Sequence, residues 1–227
     1  MCSSDLPGVF LQMADVLYEA AANFPSLSFL DFGGGFKVAY KEEDKNVDLE
    51  GLAQKLVPGF VRFCEKYGKP LEIWFEPGKF LVSEAGVLLV KTNVIKQTVS
   101  SLFAGVDAGL NHLIRPMLYN AYHKILNVSN PDREPRVYHV VGYICETDTL
   151  ACDRKIPAIE VGDVLCICNA GAYGFSMSSN YNSRLRPAEV MIHNRRDYLI
   201  RKRETLEDIL KNQMIVEVED EPGTEHG

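Results

Sequence analysis

The first half of the chain alternates helical and strand-like patterns. Apolar residues recur at helical spacing over residues 9–24, and a short apolar strand, 29–32, follows and ends in three glycines. A second helix is predicted over 48–67, with a kink expected at Pro58, and residues 71–75 predict another strand. The order helix, strand, helix, strand is typical of a parallel sheet with crossover helices.

The pattern changes near Gly86, where alternating apolar and polar residues predict a series of strands. The predicted strands are 87–97, 101–106, 136–141, 164–168, 188–193 and 198–203. The last two are expected to pair across a turn at 194–197, and the whole series indicates an antiparallel domain that forms a small barrel. A short helix, 204–211, is predicted behind a Thr205 cap.

These patterns predict a chain of the α/β plus all-β class. We expect an unpatterned start at 1–8, an α/β region at 9–85, an antiparallel β-domain at 86–212 and a partly disordered acidic tail at 213–227. Two strand–helix units are too few to close a (β/α)8 barrel. The unpatterned start at 1–8 indicates that the sequence begins at an artificial or misassembled boundary rather than at a natural domain edge.

Composition narrows the classes of function. The chain has 227 residues, a net charge of -7 and 24 dispersed Lys and Arg, which argues against nucleic acid as a partner. No apolar run of membrane-spanning length and no leader are evident, so we expect a cytoplasmic protein. The six cysteines form no paired CxxC set and the five histidines show no ligand spacing, so no disulfide framework and no metal site are predicted.

Two motifs follow the predicted strands of the α/β region. Gly33, Gly34 and Gly35 leave the backbone free to approach a phosphate, although three glycines alone are more often a flexible turn. The turn Glu76-Pro77-Gly78-Lys79 follows the next strand and is expected at the same rim. Glu76 could pair with a protonated ring nitrogen and Lys79 with a phosphate or carboxylate; the alternative is a solvated surface turn.

Three further motifs lie in the predicted β-domain. Arg115 offers a bidentate grip on a carboxylate and lies four residues before Tyr119; the alternative is a surface ion pair. Cys145 beside Glu146 at a strand end is a candidate proton donor next to a cation-binding group, or a half-buried thiol beside an exposed acid. Tyr173 lies in the polar run 169–187 and could contact a ring or phosphate, or pack in a long surface loop.

Read in order, the motifs GGG, EPGK, RPMLY, CETD and NAGAYGFSMSSNYNSRLRPAEV closely resemble the diaminopimelate decarboxylase family of fold type III pyridoxal-phosphate enzymes. The resemblance covers about residues 9–212, and its most discriminating part is 171–190. It implies that the chain holds the last two strands of a (β/α)8 barrel followed by the family's C-terminal β-domain. It also implies that the family's Schiff-base lysine, stacking histidine and H-x-G-S motif lie outside this chain.

The resemblance assigns roles residue by residue. Gly33, Gly34 and Gly35 would hold the cofactor phosphate, and Glu76, within the turn that includes Pro77 and Gly78, would hold the pyridine nitrogen. The substrate-reading residues would be Arg115, Tyr119 and Glu146, and two further residues, Lys79 and Tyr173, would contact both the cofactor and the substrate. Lys79 stands where many relatives carry arginine, so a planar two-pronged grip is replaced by a point charge. Cys145 would be the proton donor, given to the site by the partner subunit of a homodimer.

The implied function is decarboxylation of meso-2,6-diaminopimelate to L-lysine, the last step of lysine biosynthesis, with pyridoxal 5'-phosphate as cofactor. A related decarboxylase acting on carboxynorspermidine, ornithine or arginine is the first alternative. The second is a non-catalytic half that only dimerises. Since the Schiff-base lysine is missing, we expect the isolated chain to be inactive.

Overall fold

The computed structural model describes residues 6–45 and 47–217, which divide into two compact units. The first unit runs to Ser178 and the second begins at Ser179. The first part of the first unit contains three helices and two strands, namely α1 (Leu6–Ala21), β1 (Phe29–Asp31), α2 (Leu49–Tyr67), β2 (Glu72–Trp74) and α3 (Gly78–Val82). The predicted elements are confirmed, but α1 begins three residues before the predicted start and therefore includes part of the stretch predicted to be unpatterned.

Strands β1 and β2 are parallel, as predicted, with Leu30 opposite Ile73. Helix α2 crosses between them and continues through Pro58. Its first turn is capped by Asp48, whose carboxylate accepts a hydrogen bond from the Gly51 amide at 2.9 Å. Helices α1 and α2 bury apolar side chains against β1, and the shared core is made of Ala14, Ala21, Leu30, Phe32, Leu56, Phe60, Phe63 and Leu71.

A six-stranded sheet forms the second part of the first unit. Its strands are β3 (Leu88–Gln97), β4 (Leu102–Val106), β5 (Ile125–Asn127), β6 (Pro135–Val141), β7 (Thr149–Pro157) and β8 (Val164–Ile167), in the order β5-β8-β3-β4-β6-β7. A short helix, α4 (Arg115–Tyr119), lies between β4 and β5. Strands β5 and β7 were not predicted from the sequence.

The pairing in this sheet is mixed, which corrects the purely antiparallel prediction. Strand β4 pairs with β6 in parallel, with Ala104 opposite Val140, whereas the other four pairs are antiparallel. The two edge strands approach each other, and the Asn127 side-chain amide at the end of β5 donates to the Ala158 carbonyl beyond β7 at 3.2 Å. The sheet is therefore nearly closed into a barrel.

The interior of this sheet is a continuous apolar core. Its fully buried members include Leu113, Tyr138, Val140, Ile156 and Leu165. The Tyr138 hydroxyl is satisfied because it accepts a hydrogen bond from the Ile159 amide at 2.9 Å. Strands β4 and β6, which lead to α4 and to the loop after β6, both contribute side chains to this core.

The second unit contains a hairpin and a terminal helix. Strands β9 (Glu189–His193) and β10 (Arg196–Arg201) pair across the two residues Asn194 and Arg195, both of which have positive φ. The turn is thus two residues shorter than the predicted four, and β10 begins earlier than predicted. Helix α5 (Leu206–Leu210) begins at the predicted Thr205 cap, which forms a capping box with Asp208.

The predicted disordered tail lies largely outside the described residues, since the description ends at residue 217. Across the described ranges, no helix combines the length and the apolar character that a membrane crossing requires.

Candidate active site

The glycine motif and the EPGK turn are bonded directly to each other. The Glu76 amide donates to the Gly33 carbonyl at 2.7 Å, and the Gly33 amide donates to the Asp31 carboxylate at 2.8 Å. Gly33 and Gly35 have φ of 67° and 86°, which favour glycine, and a Cβ at Gly34 would lie 2.4 Å from the Glu76 carbonyl oxygen. The parallel pairing of β1 and β2 therefore places both motifs at one rim, and only glycine fits the contact between them.

An open cavity of about 600 Å³ lies beside these two motifs. Eight of the residues singled out from the sequence line it, namely Gly34, Gly35, Glu76, Pro77, Lys79, Arg115, Tyr119 and Tyr173. Gly33 and Gly78 are each hydrogen-bonded through the backbone to Glu76, which lines the cavity. The structure thus gathers segments that are up to 139 residues apart in sequence, from Gly34 to Tyr173, around one space.

Arg115 is the most deeply buried charge at this cavity. Only 9% of the residue is exposed, and its guanidinium carbon lies 5.6 Å from the ring centre of Tyr173 and 5.7 Å from that of Tyr40. The buried Arg115 Nε has no hydrogen-bond acceptor among the described residues. A buried cation held between rings, with a donor still available, is suited to bind an anionic group.

Lys79 adds a second positive charge to the cavity. Its ammonium lies 5.9 Å from the Tyr40 ring centre. Burial, together with repulsion from Arg115, lowers the pKa of Lys79 below its ordinary value. An anionic ligand near Lys79 would offset this repulsion and stabilise the charged form of the lysine.

The polar run that follows β8 is pressed against α3, and this contact positions Tyr173. A Cβ at Gly171 would lie 1.9 Å from the Val82 carbonyl oxygen, and the Gly171 amide donates to the Ser83 carbonyl at 3.1 Å. The Asn169 side chain donates to the Ala39 carbonyl at 3.0 Å. The run is therefore fixed at two points beside the cavity, and Tyr173 occupies a positive φ of 61° there.

Tyr40 and His123 support the site but were not singled out in the sequence. Their rings meet edge to face with centres 5.5 Å apart. The His123 Nδ1–H donates to the Cys168 carbonyl at 2.9 Å, and burial is the main reason that its pKa is lowered, with Arg115 and Arg154 adding to the effect. Neutral His123 thus packs against the Tyr40 ring, which Arg115 and Lys79 also contact.

Three apolar side chains that line the cavity were also missed, namely Phe36, Phe80 and Met177. Phe36 directly follows the glycine motif and lies 5.7 Å, centre to centre, from Phe80. The proximity of Phe36 to the glycines, and of Met177 to Tyr173, was the only signal in the sequence. No group of three or more His, Cys, Asp or Glu suited to a metal ion occurs within residues 6–45 and 47–217.

Cys145 and Glu146 stand apart from this arrangement. Both are exposed, and neither belongs to the set of residues that line the cavity. They lie in the loop between β6 and β7, which is closed by a hydrogen bond from the Gly142 amide to the Asp148 carbonyl at 2.8 Å. Within a single chain, the candidate proton donor therefore does not line the candidate cofactor cavity.

Two family models match the chain in succession. The pyridoxal binding domain of the pyridoxal-dependent decarboxylases matches residues 11–83, and their C-terminal sheet domain matches residues 79–171. The two matches meet at α3, where the α/β part of the fold gives way to the sheet. The chain belongs to the pyridoxal-dependent decarboxylase family.

The similar curated proteins are diaminopimelate decarboxylases. One from Methanothermobacter thermautotrophicus is 41% identical over 218 residues, which cover 92% of this chain and 50% of the relative. One from Pseudomonas aeruginosa is 41% identical over 190 residues, covering 82% of this chain and 43% of the relative. The chain thus spans about half the length of the curated relatives it matches.

A solved structure shares the fold at similar coverage. Diaminopimelate decarboxylase from M. jannaschii in co-complex with L-lysine superimposes with a TM-score of 0.84 and 31% identity, over 92% of this chain and 49% of that one. The six-stranded mixed sheet and the preceding α/β part therefore belong to the fold of this group of enzymes.

Proposed function

We propose that this chain forms the carboxy-terminal part of a diaminopimelate decarboxylase, which converts meso-2,6-diaminopimelate into L-lysine and carbon dioxide. The observation that carries the proposal is the position of Arg115, buried between Tyr40 and Tyr173 on the same cavity as the glycine motif and Glu76. In this reading, α1 to β2 are the last part of a (β/α)8 barrel. Residues 86–212 would make up the C-terminal β-domain, and the Schiff-base lysine lies elsewhere in the longer enzyme.

The cavity fits pyridoxal phosphate on structural grounds. The glycine motif offers backbone amides at a place that a Cβ at Gly34 would close, and Lys79 and Arg115 form no salt bridge with the acidic residues that the structure describes. When bound, the cofactor supplies an electron sink for the pair of electrons released as the α-carboxylate leaves. Gly33, Gly34 and Gly35 would hold its phosphate, the exposed Glu76 carboxylate its protonated ring nitrogen, and Pro77 and Gly78 would shape the turn between them.

The remaining cavity residues would bind the substrate. Arg115 would pair with the distal carboxylate, with Tyr119 beside it on α4 and Tyr173 contacting both substrate and cofactor. Lys79 would supply a point charge to a phosphate or carboxylate. Ornithine lacks a distal carboxylate, so a buried arginine at this position favours a dicarboxylic substrate over the ornithine alternative.

Cys145 and Glu146 would act in the cavity of a partner subunit. Cys145 would donate a proton to the α-carbon after carbon dioxide leaves, and Glu146 would pair with the distal ammonium. Their exposure and their separation from the cavity of their own chain support a homodimer with shared sites. On this proposal the isolated chain releases no lysine, because it lacks the Schiff-base lysine.

The substrate is tested with a chimera in which this chain replaces the matching half of the Methanothermobacter relative. We expect lysine and carbon dioxide from meso-diaminopimelate, and no putrescine from ornithine. The unmodified relative, assayed in parallel, shows that the assay works. Putrescine release without lysine release by a folded chimera would refute the proposed substrate.

The shared site is tested by mixing two impaired chimeras, one carrying Cys145→Ala and the other Arg115→Met, at a diaminopimelate concentration well below KM. If each site combines Cys145 of one subunit with Arg115 of the other, random mixing restores about a quarter of the unaltered activity, because half of the dimers are mixed and each has one intact site. Each variant alone is the control. No recovery after confirmed subunit exchange would refute a site shared in this way.

A further inference from the structure

Asp148 is a buried acid near the proposed site to which neither the sequence nor the proposed mechanism assigns a task. Only 5% of the residue is exposed, and it lies three residues after Cys145 at the end of the same loop. Its carboxylate joins two segments: Oδ1 accepts from the Leu110 amide at 2.7 Å, and Oδ2 accepts from the Ile144 amide at 2.9 Å. Charge-assisted bonds of this kind are the stronger ones in proteins.

The two segments joined by Asp148 lead to different halves of the proposed site. Leu110 lies five residues before Arg115, which is at the cavity of its own chain, and Ile144 directly precedes Cys145. The Gly142 amide donates to the backbone carbonyl of Asp148, so one residue bonds both ends of the Cys145 loop. Asp148 therefore connects the segment that leads to the cavity with the exposed loop.

The packing around the carboxylate requires glycine on two sides. A Cβ at Gly109 would lie 2.3 Å from Asp148 Oδ2, and a Cβ at Gly142 would lie 2.1 Å from the same atom. His112, whose Nε2 lies 3.4 Å from the Tyr143 hydroxyl, is close enough to favour the ionised carboxylate. Burial nevertheless raises the pKa of Asp148 above its ordinary value, so the charge is retained at a cost that the amide bonds offset only in part.

We infer that Asp148 is the positioning residue of the Cys145–Glu146 loop, whose carboxylate holds that loop in register with the segment leading to Arg115. The inference rests on the proposed function for the reason why the register matters, but the contacts that carry it are within this chain. A displaced loop would present Cys145 and Glu146 wrongly to the partner subunit. Asp148 itself touches no reacting atom.

The first test is amide hydrogen exchange of the 227-residue chain at neutral pH. In Asp148→Ala, exchange in the segments 107–113 and 142–148 should be about 10- to 100-fold faster, since two charge-assisted bonds are lost. Asp148→Asn keeps one acceptor and should fall between wild type and Asp148→Ala. Exchange in β3 and β8 should not change, which separates local release from general destabilisation.

Two matched variants sharpen this test. Gly142→Ala leaves the carboxylate in place but crowds both it and the Ala108 carbonyl oxygen, and should accelerate exchange in the same two segments. Asp153→Asn removes an exposed acid on β7 and should leave both segments unchanged. Wild-type exchange rates in both segments of Asp148→Ala would overturn the inference, and so would faster exchange confined to one of them.

The second test is the split between kcat and KM in the chimera. Because Glu146 is proposed to bind substrate and Cys145 to act in turnover, Asp148→Asn should raise KM for diaminopimelate several-fold and lower kcat as well. A residue that only stabilised the fold would reduce the amount of active enzyme and leave KM unchanged, and that result would overturn a positioning role. If the unaltered chimera makes no lysine, the proposed function fails, and hydrogen exchange in the isolated chain still decides whether Asp148 holds the loop.

Discussion

The cavity at the end of β1 and β2 buries its candidate arginine, whereas the loop between β6 and β7 exposes its candidate thiol and carboxylate. The cavity gathers residues from distant segments and buries a charge, Arg115, between two rings. The loop presents Cys145 and Glu146 outward and buries Ile144 and Asp148, the acid that holds it. On the proposed function, the cavity would be the recessed half of a site shared by two subunits, and the loop would be the projecting half.

The largest effect that tests this division is expected for Cys145→Ala in the chimera. Loss of a positioned proton donor should lower kcat about 100-fold or more, with KM for diaminopimelate little changed. Cys152→Ala, which removes another exposed thiol seven residues along the chain, should leave the kinetics unchanged. Full activity of Cys145→Ala would mean that the cavity needs nothing from the loop, and the comparison would fail.

A smaller effect is expected on the recessed side, for Arg115→Met in the chimera. Since a hydrogen-bonded charge pair contributes about 1.5–3 kcal/mol, kcat/KM for diaminopimelate should fall by about 10- to 100-fold. Arg115→Lys keeps the charge but not the planar, two-pronged guanidinium, and should recover only part of the lost kcat/KM. Unchanged kcat/KM in Arg115→Met would place the distal carboxylate somewhere else.

A substitution at the close contact between the glycine motif and the EPGK turn is expected to lower the stability of the fold. In Gly34→Ala the new methyl group would meet the Glu76 carbonyl oxygen, so the free energy of unfolding of the 227-residue chain should fall by about 1–3 kcal/mol. Gly78→Ala is the matched control, since its Cβ meets nothing within 4 Å and alanine favours the helix. Equal urea denaturation curves for the two variants would contradict the contact.

The smallest expected effect is a change in the pKa of Lys79 when Arg115, the other cation at the cavity, is replaced. Since Arg115 lowers the pKa of Lys79, Arg115→Met should raise that pKa, although burial keeps it below the ordinary value. In wild type, the neutral form of Lys79 is favoured by folding, so its contribution to stability rises as pH increases through its folded pKa. NMR titration of labelled lysine side chains measures the shift, with exposed Lys55 as the internal control; an unmoved Lys79 would show that the two cations do not interact.

Much of the fold could be predicted because its elements carry regular patterns. Helix α2 and strands β1 to β4 are long or apolar enough for periodicity to show, and the Thr205 cap is visible as a local motif. Strand β7 was missed because Asp153, with φ of 51°, interrupts its alternation, and β5 because three residues show no period. The parallel pairing of β4 with β6 was missed since it depends on strands that are distant in sequence.

The candidate site divides in the same way. Motifs of adjacent residues, such as Gly33 to Gly35 and Glu76 to Lys79, were found because several groups of one kind of chemistry lie together. Tyr40 and His123 were missed because each is a single residue, and single aromatic residues are more often simply packed in the core. Asp148 was visible only as the last letter of a four-residue motif, with nothing to show that it would be buried.

The sequence alone determined which groups are available: amides free of side chains, a guanidinium, a thiol beside a carboxylate, and their order along the chain. Only the tertiary structure decided which of them meet. Parallel pairing of β1 with β2 and the contact of Gly171 with Val82 bring the cavity residues together, whereas the nearly closed sheet leaves Cys145 and Glu146 outside. The physical reason is that local patterns fix elements through short-range sterics and periodic burial, while the distance between two side chains depends on how those elements pack.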